Sequence, residues 1–354
     1  MARLAMCGWE SGKAEELGTE LVVAGDGLQF TTNSCTGLIS RSGTYSWRLR
    51  CEGNTGQTWR VVSLPTPRNE IWVRLGVGGC AGDGATSPGS IWHFLQCYDG
   101  STLQIALGYS DATRTVRVYR GTTLIAEGGA LPTSTTFVCV EARILIAAAS
   151  GKVTVLVNGA QVLDYSGDTL ESATEQITRV NVGMGLISSA GWHREVLILD
   201  DFAINDTTGT RNNGRIGQGG IIALWPNADT ADKDWARSAG SDNYALVNSV
   251  PPDDDATYVT ATSVGDRDLY EFGNLTNVNS IDAIAISGRL KTTFGAGAPV
   301  GFAMRSGATT GDVGSHQAAG AWTTFTDVVE ADPNTAAAWT LAAVNSLQAG
   351  FTIL

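Results

Sequence analysis

Adjacent aspartates at Asp200 and Asp201, with Asn205 and Asp206 close behind, are the residues whose type and spacing most directly suggest chemistry. Carboxylates grouped in this way could hold Ca2+, which takes roughly six to eight oxygen ligands. No DxDxDG loop accompanies them. Strand alternation would send Leu197, Leu199 and Asp201 to one face, and Ile198, Asp200 and Phe202 to the other. Carboxylates that point apart cannot share one ion unless a bulge intervenes. Asp200, Asp201 and Asp206 therefore stand as metal candidates against a plainer reading, in which they accept hydrogen bonds from nearby backbone amides. Asp201 would tie its strand to a loop, and Asp206 has the spacing of an Asx turn into Thr207-Thr208-Gly209. Asp253-Asp254-Asp255, behind Pro251-Pro252, reads as a solvated loop capping the next strand.

Other constellations are thinner. The three histidines, His93, His193 and His316, are scattered, and His93 sits within a strand between Trp92 and Phe94. A nucleophile elbow, GxSxG, does not occur. Glycoside hydrolysis needs two carboxylates about 5 to 10 Å apart, which lectin-like glycosidases carry on one strand as E-x-D-x-x-E. Here Glu141 and Glu195 stand alone. The chain is accordingly read as non-enzymatic, with no catalytic or cofactor-binding residue. Trp72, Trp92, Tyr98, Tyr109, Tyr119 and Trp192 could stack on sugars, although a sandwich needs most of its large aromatics in the core. Trp192, from its loop position, and Tyr119 with Arg117, from the polar side of their strand, are the candidate glycan contacts.

The elements that would position these residues are short strands. Charged residues make up 16 % of the 354, and glycine supplies 43. Segments such as YSWRL, EIWVRLG, IWHFLQCY, LQIALGY and TVRVYR alternate apolar with polar at spacings of about ten residues, with Asp99-Gly100 and Asn158-Gly159 as turns. No long helical stretch separates them, so a β-sandwich or jelly roll is expected rather than a parallel α/β sheet. The net charge of −12 excludes nucleic acid as a partner. Six cysteines without a CxxC pair argue against zinc. No run approaches the ~18 apolar residues of a membrane helix, so no membrane insertion is expected. With no signal-like N-terminal stretch, the thiols are read as reduced in a protein made in a cytoplasm.

Three parts are expected: residues 1–206 as a jelly-roll domain, 207–220 as a polar, glycine-rich linker or crossing, and 221–354 as a smaller β-rich domain. The last would close with a helix between Asp332-Pro333 and Gly350, capped by Asp332 or Asn334.

The run VEARILIAAASGKVTVLVNGAQVLDYSGDT, followed by RVNVGMG and LDDFAINDTTG, resembles the concanavalin A-like (laminin-G-like) domain of tailed-bacteriophage virion proteins. The segments PPDDDATYV and ADPNTAAAWTLAAVNSLQAGF are similar to the C-terminal part of the same proteins. The resemblance spans roughly residues 137–354. It implies an all-β, non-enzymatic structural component of a virion, placed at a tail tip, fibre or other adhesin-like position. Its partners would be other virion proteins, further copies of itself as a homo-oligomer, and host-surface glycan. A capsid-surface decoration protein and a free lectin-like carbohydrate-binding module are the alternatives.

Overall fold

The computed structural model describes residues 2–24, 29–36, 39–53, 56–79, 89–131, 136–188, 193–293 and 299–354. The chain divides into two compact units, Met1–Ile222 and Ala223–Leu354. It is an all-β protein built on antiparallel sheets.

Two sheets make the first unit. One runs in the order Ala160–Gly167, Gly151–Val157, Val138–Leu145, Glu70–Gly78, His193–Asp206, Ser46–Gly53, Gln29–Thr36, with Arg3–Cys7 pairing beside His193–Asp206. The other runs Thr123–Ala130, Thr115–Arg120, Thr102–Ser110, Ile91–Asp99, Ile177–Ser188, Gly56–Arg68, Thr19–Ala24. Alternate residues of facing strands fill one core: Ile71, Val73, Ile105, Leu107, Tyr109, Val116, Val118, Val180, Val182, Leu197 and Leu199 are all buried in it. Period-two patterning is thus the cause of the sandwich, since each strand has one apolar face to hide. Asn158 and Gly159 both take positive φ, 49° and 81°, the left-handed pair that a two-residue hairpin turn requires.

Residues 207–220 differ from the expected linker. They belong to the first unit and are bonded to it. Buried Glu141 accepts hydrogen bonds from the backbone N–H groups of Ile216 and Gly217 and pairs with Arg215 at 3.0 Å. Arg41 donates to the carbonyls of Gln218 and Gly219.

The second unit has a five-stranded sheet in the order Pro226–Lys233, Arg267–Phe272, Gln348–Ile353, Pro299–Ser306, Thr309–Gln317, and a separate pair, Ile284–Leu290 with Thr323–Val329. Met304, Trp339, Val344 and Leu347 form its small core. The C-terminal helix is shorter than expected, Leu341–Asn345, and its cap is Thr340, whose hydroxyl accepts from the Ala343 N–H at 3.1 Å. Asp332 instead binds Ser306 Oγ, the Asn334 N–H and Thr335 Oγ. Gly350 does not stop a helix; it lies in a central strand.

Candidate functional site

The aspartate pair is not arranged as alternation predicts. A bulge lies between Asp200 and Ala203, and Asp201 takes φ +52°. The bulge swings both carboxylates onto the segment at Arg41–Ser42. Asp200 Oδ2 accepts from the Arg41 N–H at 2.6 Å, and its Oδ1 from the Asp201 N–H at 2.7 Å. Asp201 Oδ2 pairs with Arg41 Nη1 at 2.5 Å, while Oδ1 accepts from Ser42 Oγ and the Ile221 N–H. Asp206 pairs with Arg68 and accepts from the Thr208 N–H at 2.9 Å. Every one of these carboxylate oxygens faces an N–H or O–H donor, the wrong partner for a cation. Among the described residues no group of three His, Cys, Asp or Glu is placed to hold a metal ion. Burial, followed by the charge of Asp201, raises the Asp200 pKa.

The arrangement with chemical potential lies elsewhere, on the outer face of the sheet that contains Ile91–Asp99. Register sets its rows. Arg117, Gly108, His93, Gly185 and Gln57 lie side by side across five strands. The next row is Tyr119, Ala106, Gln96, Asn181 and Val61, and beyond it Tyr98 stands opposite Arg179. Gly108, Ala106 and Gly185 are the small residues of these rows, and large polar ones stand beside them. The result is a groove of about 280 Å³ that includes Gln57, His93, Gln96, Tyr98 and Tyr119 in its lining.

A second bulge makes this face. It falls between His93 and Leu95, so that His93 and Gln96, three residues apart, both point outward while Phe94 and Leu95 enter the core. Glycines flank His93 on both neighbouring strands for a steric reason. A Cβ on Gly108 would lie 2.8 Å from His93 Cδ2 and 2.3 Å from the Trp92 carbonyl oxygen. A Cβ on Gly185 would lie 2.6 Å from Trp59 Cζ2.

The polar atoms here are only partly satisfied. Tyr98 Oη donates to Gln96 Oε1 at 3.1 Å, and Gln96 Nε2 lies 3.4 Å from His93 Nδ1. His93 Nε2, both amide atoms of Asn181 and Arg179 Nε have no hydrogen-bond partner among the described residues, although His93 and Asn181 are each only 1 % exposed. Burial lowers the His93 pKa to about 4, so the ring is neutral at ordinary pH and can accept or donate a proton in a hydrogen bond. The Arg179 guanidinium lies over the Tyr98 ring at 4.3 Å. On the strand Thr102–Ser110, Gln104 is bonded to Ser172 and Thr174, which fixes the 171–176 segment against this sheet.

Of the expected glycan contacts, Tyr119 is in the groove, but not as an exposed ring. It is 7 % exposed, 4.8 Å centroid to centroid from His93, because Ile91 and Ala106 pack against it. Arg117 pairs with Glu127 at 3.2 Å at the end of its row. Trp192 lies outside the described residues. Trp92 and Tyr109 are core residues, whereas Tyr98 lines the groove. Sequence reasoning set His93 aside as a scattered strand histidine and passed over Gln96, Asn181 and Arg179. The available signal was a set of polar residues inside otherwise apolar strands.

No known family and no curated protein matches this chain. Among solved structures, it is similar to the cellulose-induced protein Cip1 (17 % identity, 61 % of this chain and 100 % of that one, TM-score 0.42). It is also similar to an endo-β-1,4-glucuronan lyase from the fungus Trichoderma reesei (13 % identity, 57 % and 95 %, TM-score 0.42). A third is the alginate lyase Aly36B in complex with alginate trisaccharide (14 %, 54 % and 99 %, TM-score 0.32). At these identities the likeness is one of fold, and no residue role passes across it. The expectation of a non-enzymatic chain is withdrawn: the similar structures include a glucuronan lyase and an alginate lyase, and nothing of their activity is carried to this chain. The missing E-x-D-x-x-E pattern excludes nothing by itself, since residues from several strands meet without leaving a linear motif, as in the rows around His93.

Proposed function

We propose that this protein binds a glycan in the groove on the outer face of the sheet containing Ile91–Asp99. The observation that carries this reading is a groove lined by Gln57, His93, Gln96, Tyr98 and Tyr119, with unpartnered buried polar atoms at His93 Nε2 and, on the strand paired beside Gln96, at the Asn181 amide. Leaving such atoms unpaired costs about 1–3 kcal/mol each. Sugar hydroxyls can both donate and accept, which suits a lining of amides, an imidazole and phenols. The sequence resemblance supports a setting in a tailed-phage particle. There the glycan would belong to a host surface, and the neighbours would be other virion proteins and further copies of this chain. A capsid-surface position is the second placement that the same resemblance allows.

A glycan array probed with the purified chain tests the binding, read beside His93→Ala and Asn181→Ala. Specific binding that falls at least about tenfold in both variants is the expected result. Binding indifferent to both changes would remove the groove from the reading, and a blank array would remove the glycan.

A further inference from the structure

We infer that the ligand of this groove is an acidic glycan, a chain whose sugars carry carboxylates. The inference rests on the glycan reading above and narrows it by charge. The protein as a whole carries a formal charge of −12, yet none of the described residues lining the groove is aspartate or glutamate. The polar lining is instead neutral, the amides of Gln57 and Gln96, an imidazole and two phenols, and on the strand paired beside Gln96 and Tyr98 stand the Asn181 amide and the Arg179 guanidinium.

Arg179 is the decisive group. It forms no ion pair among the described residues, and its Nε is buried without a partner. The side chain as a whole is only half-buried, so an arriving anion can meet the outer N–H groups of the guanidinium and offset the cost of its partly desolvated charge. Tyr98 holds the guanidinium plane from below. Arg179 and Asn181 are two apart on one strand, so both point outward within about 7 Å of each other. That spacing lets a carboxylate lie between a guanidinium N–H and an amide N–H. The other arginines near the groove are already neutralised. Arg117 pairs with Glu127, and Arg120 pairs with Asp168 and Glu171, whose carboxyl group reaches the rim at Gly121. A neutral chain would leave the Arg179 charge uncompensated. A cationic one would meet it directly.

The test compares uronate- and sialate-containing oligosaccharides with the same chains after reduction of their carboxyl groups to alcohols. Binding to the full-length protein and to Arg179→Gln is measured by calorimetry. The native oligosaccharides should bind at least about tenfold more tightly than the reduced ones. Arg179→Gln should lose that preference while its unfolding midpoint stays near wild type. Equal binding of native and reduced chains overturns the acidic-glycan inference and leaves the glycan reading standing. Preference for the reduced chains, or an unchanged preference in Arg179→Gln, also overturns it. No binding to any glycan, acidic or neutral, ends both.

Discussion

At the scale of single residues, two buried titratable groups oppose each other. Glu195 lies between the sheets, bonded to Tyr109 Oη at 3.0 Å and Arg114 Nη1 at 2.9 Å. Burial nonetheless raises its pKa from 4.5 to about 7. Between those two values the folded protein holds a proton that the unfolded chain has released, so this residue's contribution is complete below pH 4.5 and is lost as pH rises through about 7. His93 runs the other way. Its pKa falls from 6.5 to about 4, so its contribution is complete above pH 6.5 and is lost as pH falls towards 4. Each shift corresponds to about 3 kcal/mol at most. Glu10, raised to about 7 by burial, adds to the Glu195 side. Urea midpoints measured from pH 4.5 to 7 should therefore show His93→Gln gaining stability on acidification more steeply than wild type. Glu195→Gln should gain less, or lose; identical pH slopes in all three proteins would refute the assignment. Neither environment was legible in the sequence, because Glu195 and His93 each read as a solitary polar residue in a strand. What surrounds them comes from strands distant in the chain.

At the scale of elements, the site depends on bulges and on glycines beside them. The bulge after His93 puts Gln96 on the same face, and the bulge after Asp200 turns two carboxylates onto one loop. Simple alternation predicts the opposite in both places, which is why the aspartate pair was expected to point apart. Gly108 offers a direct test. An added methyl would meet the Trp92 carbonyl oxygen at 2.3 Å and His93 Cδ2 at 2.8 Å, so Gly108→Ala should cost about 1–3 kcal/mol and displace the imidazole. Chemical denaturation of that variant should show the loss; wild-type stability would mean that the strands are not so closely paired there. The tail shows the same precedence of tertiary structure over local preference. Gln348–Ile353 pairs on both sides, with Arg267–Phe272 and Pro299–Ser306, and those hydrogen bonds outweigh the helical leaning of the alanines before it.

At the scale of the whole molecule, the boundary of the first unit is a prediction in itself. A fragment ending at Ile222 keeps the bonds from Ile216 and Gly217 to Glu141 and from Ile221 to Asp201. It should unfold cooperatively and retain the groove's binding. A fragment ending at Asp206 strips Glu141 of Arg215 and two backbone N–H donors and Asp201 of one, at a cost of about 1–3 kcal/mol or more. Circular dichroism melts of the two fragments decide this, and equal melting temperatures would refute it. The sequence by itself determined that the chain is all-β and antiparallel, and where its Asn158-Gly159 hairpin turns. Those features are set by local alternation and by the few residues that tolerate left-handed φ. Tertiary structure alone decided which polar residues meet. The rows through His93, Asn181 and Arg179 draw on strands that are far apart in the chain. Their meeting is a matter of register between strands and of bulges, and no single segment records either.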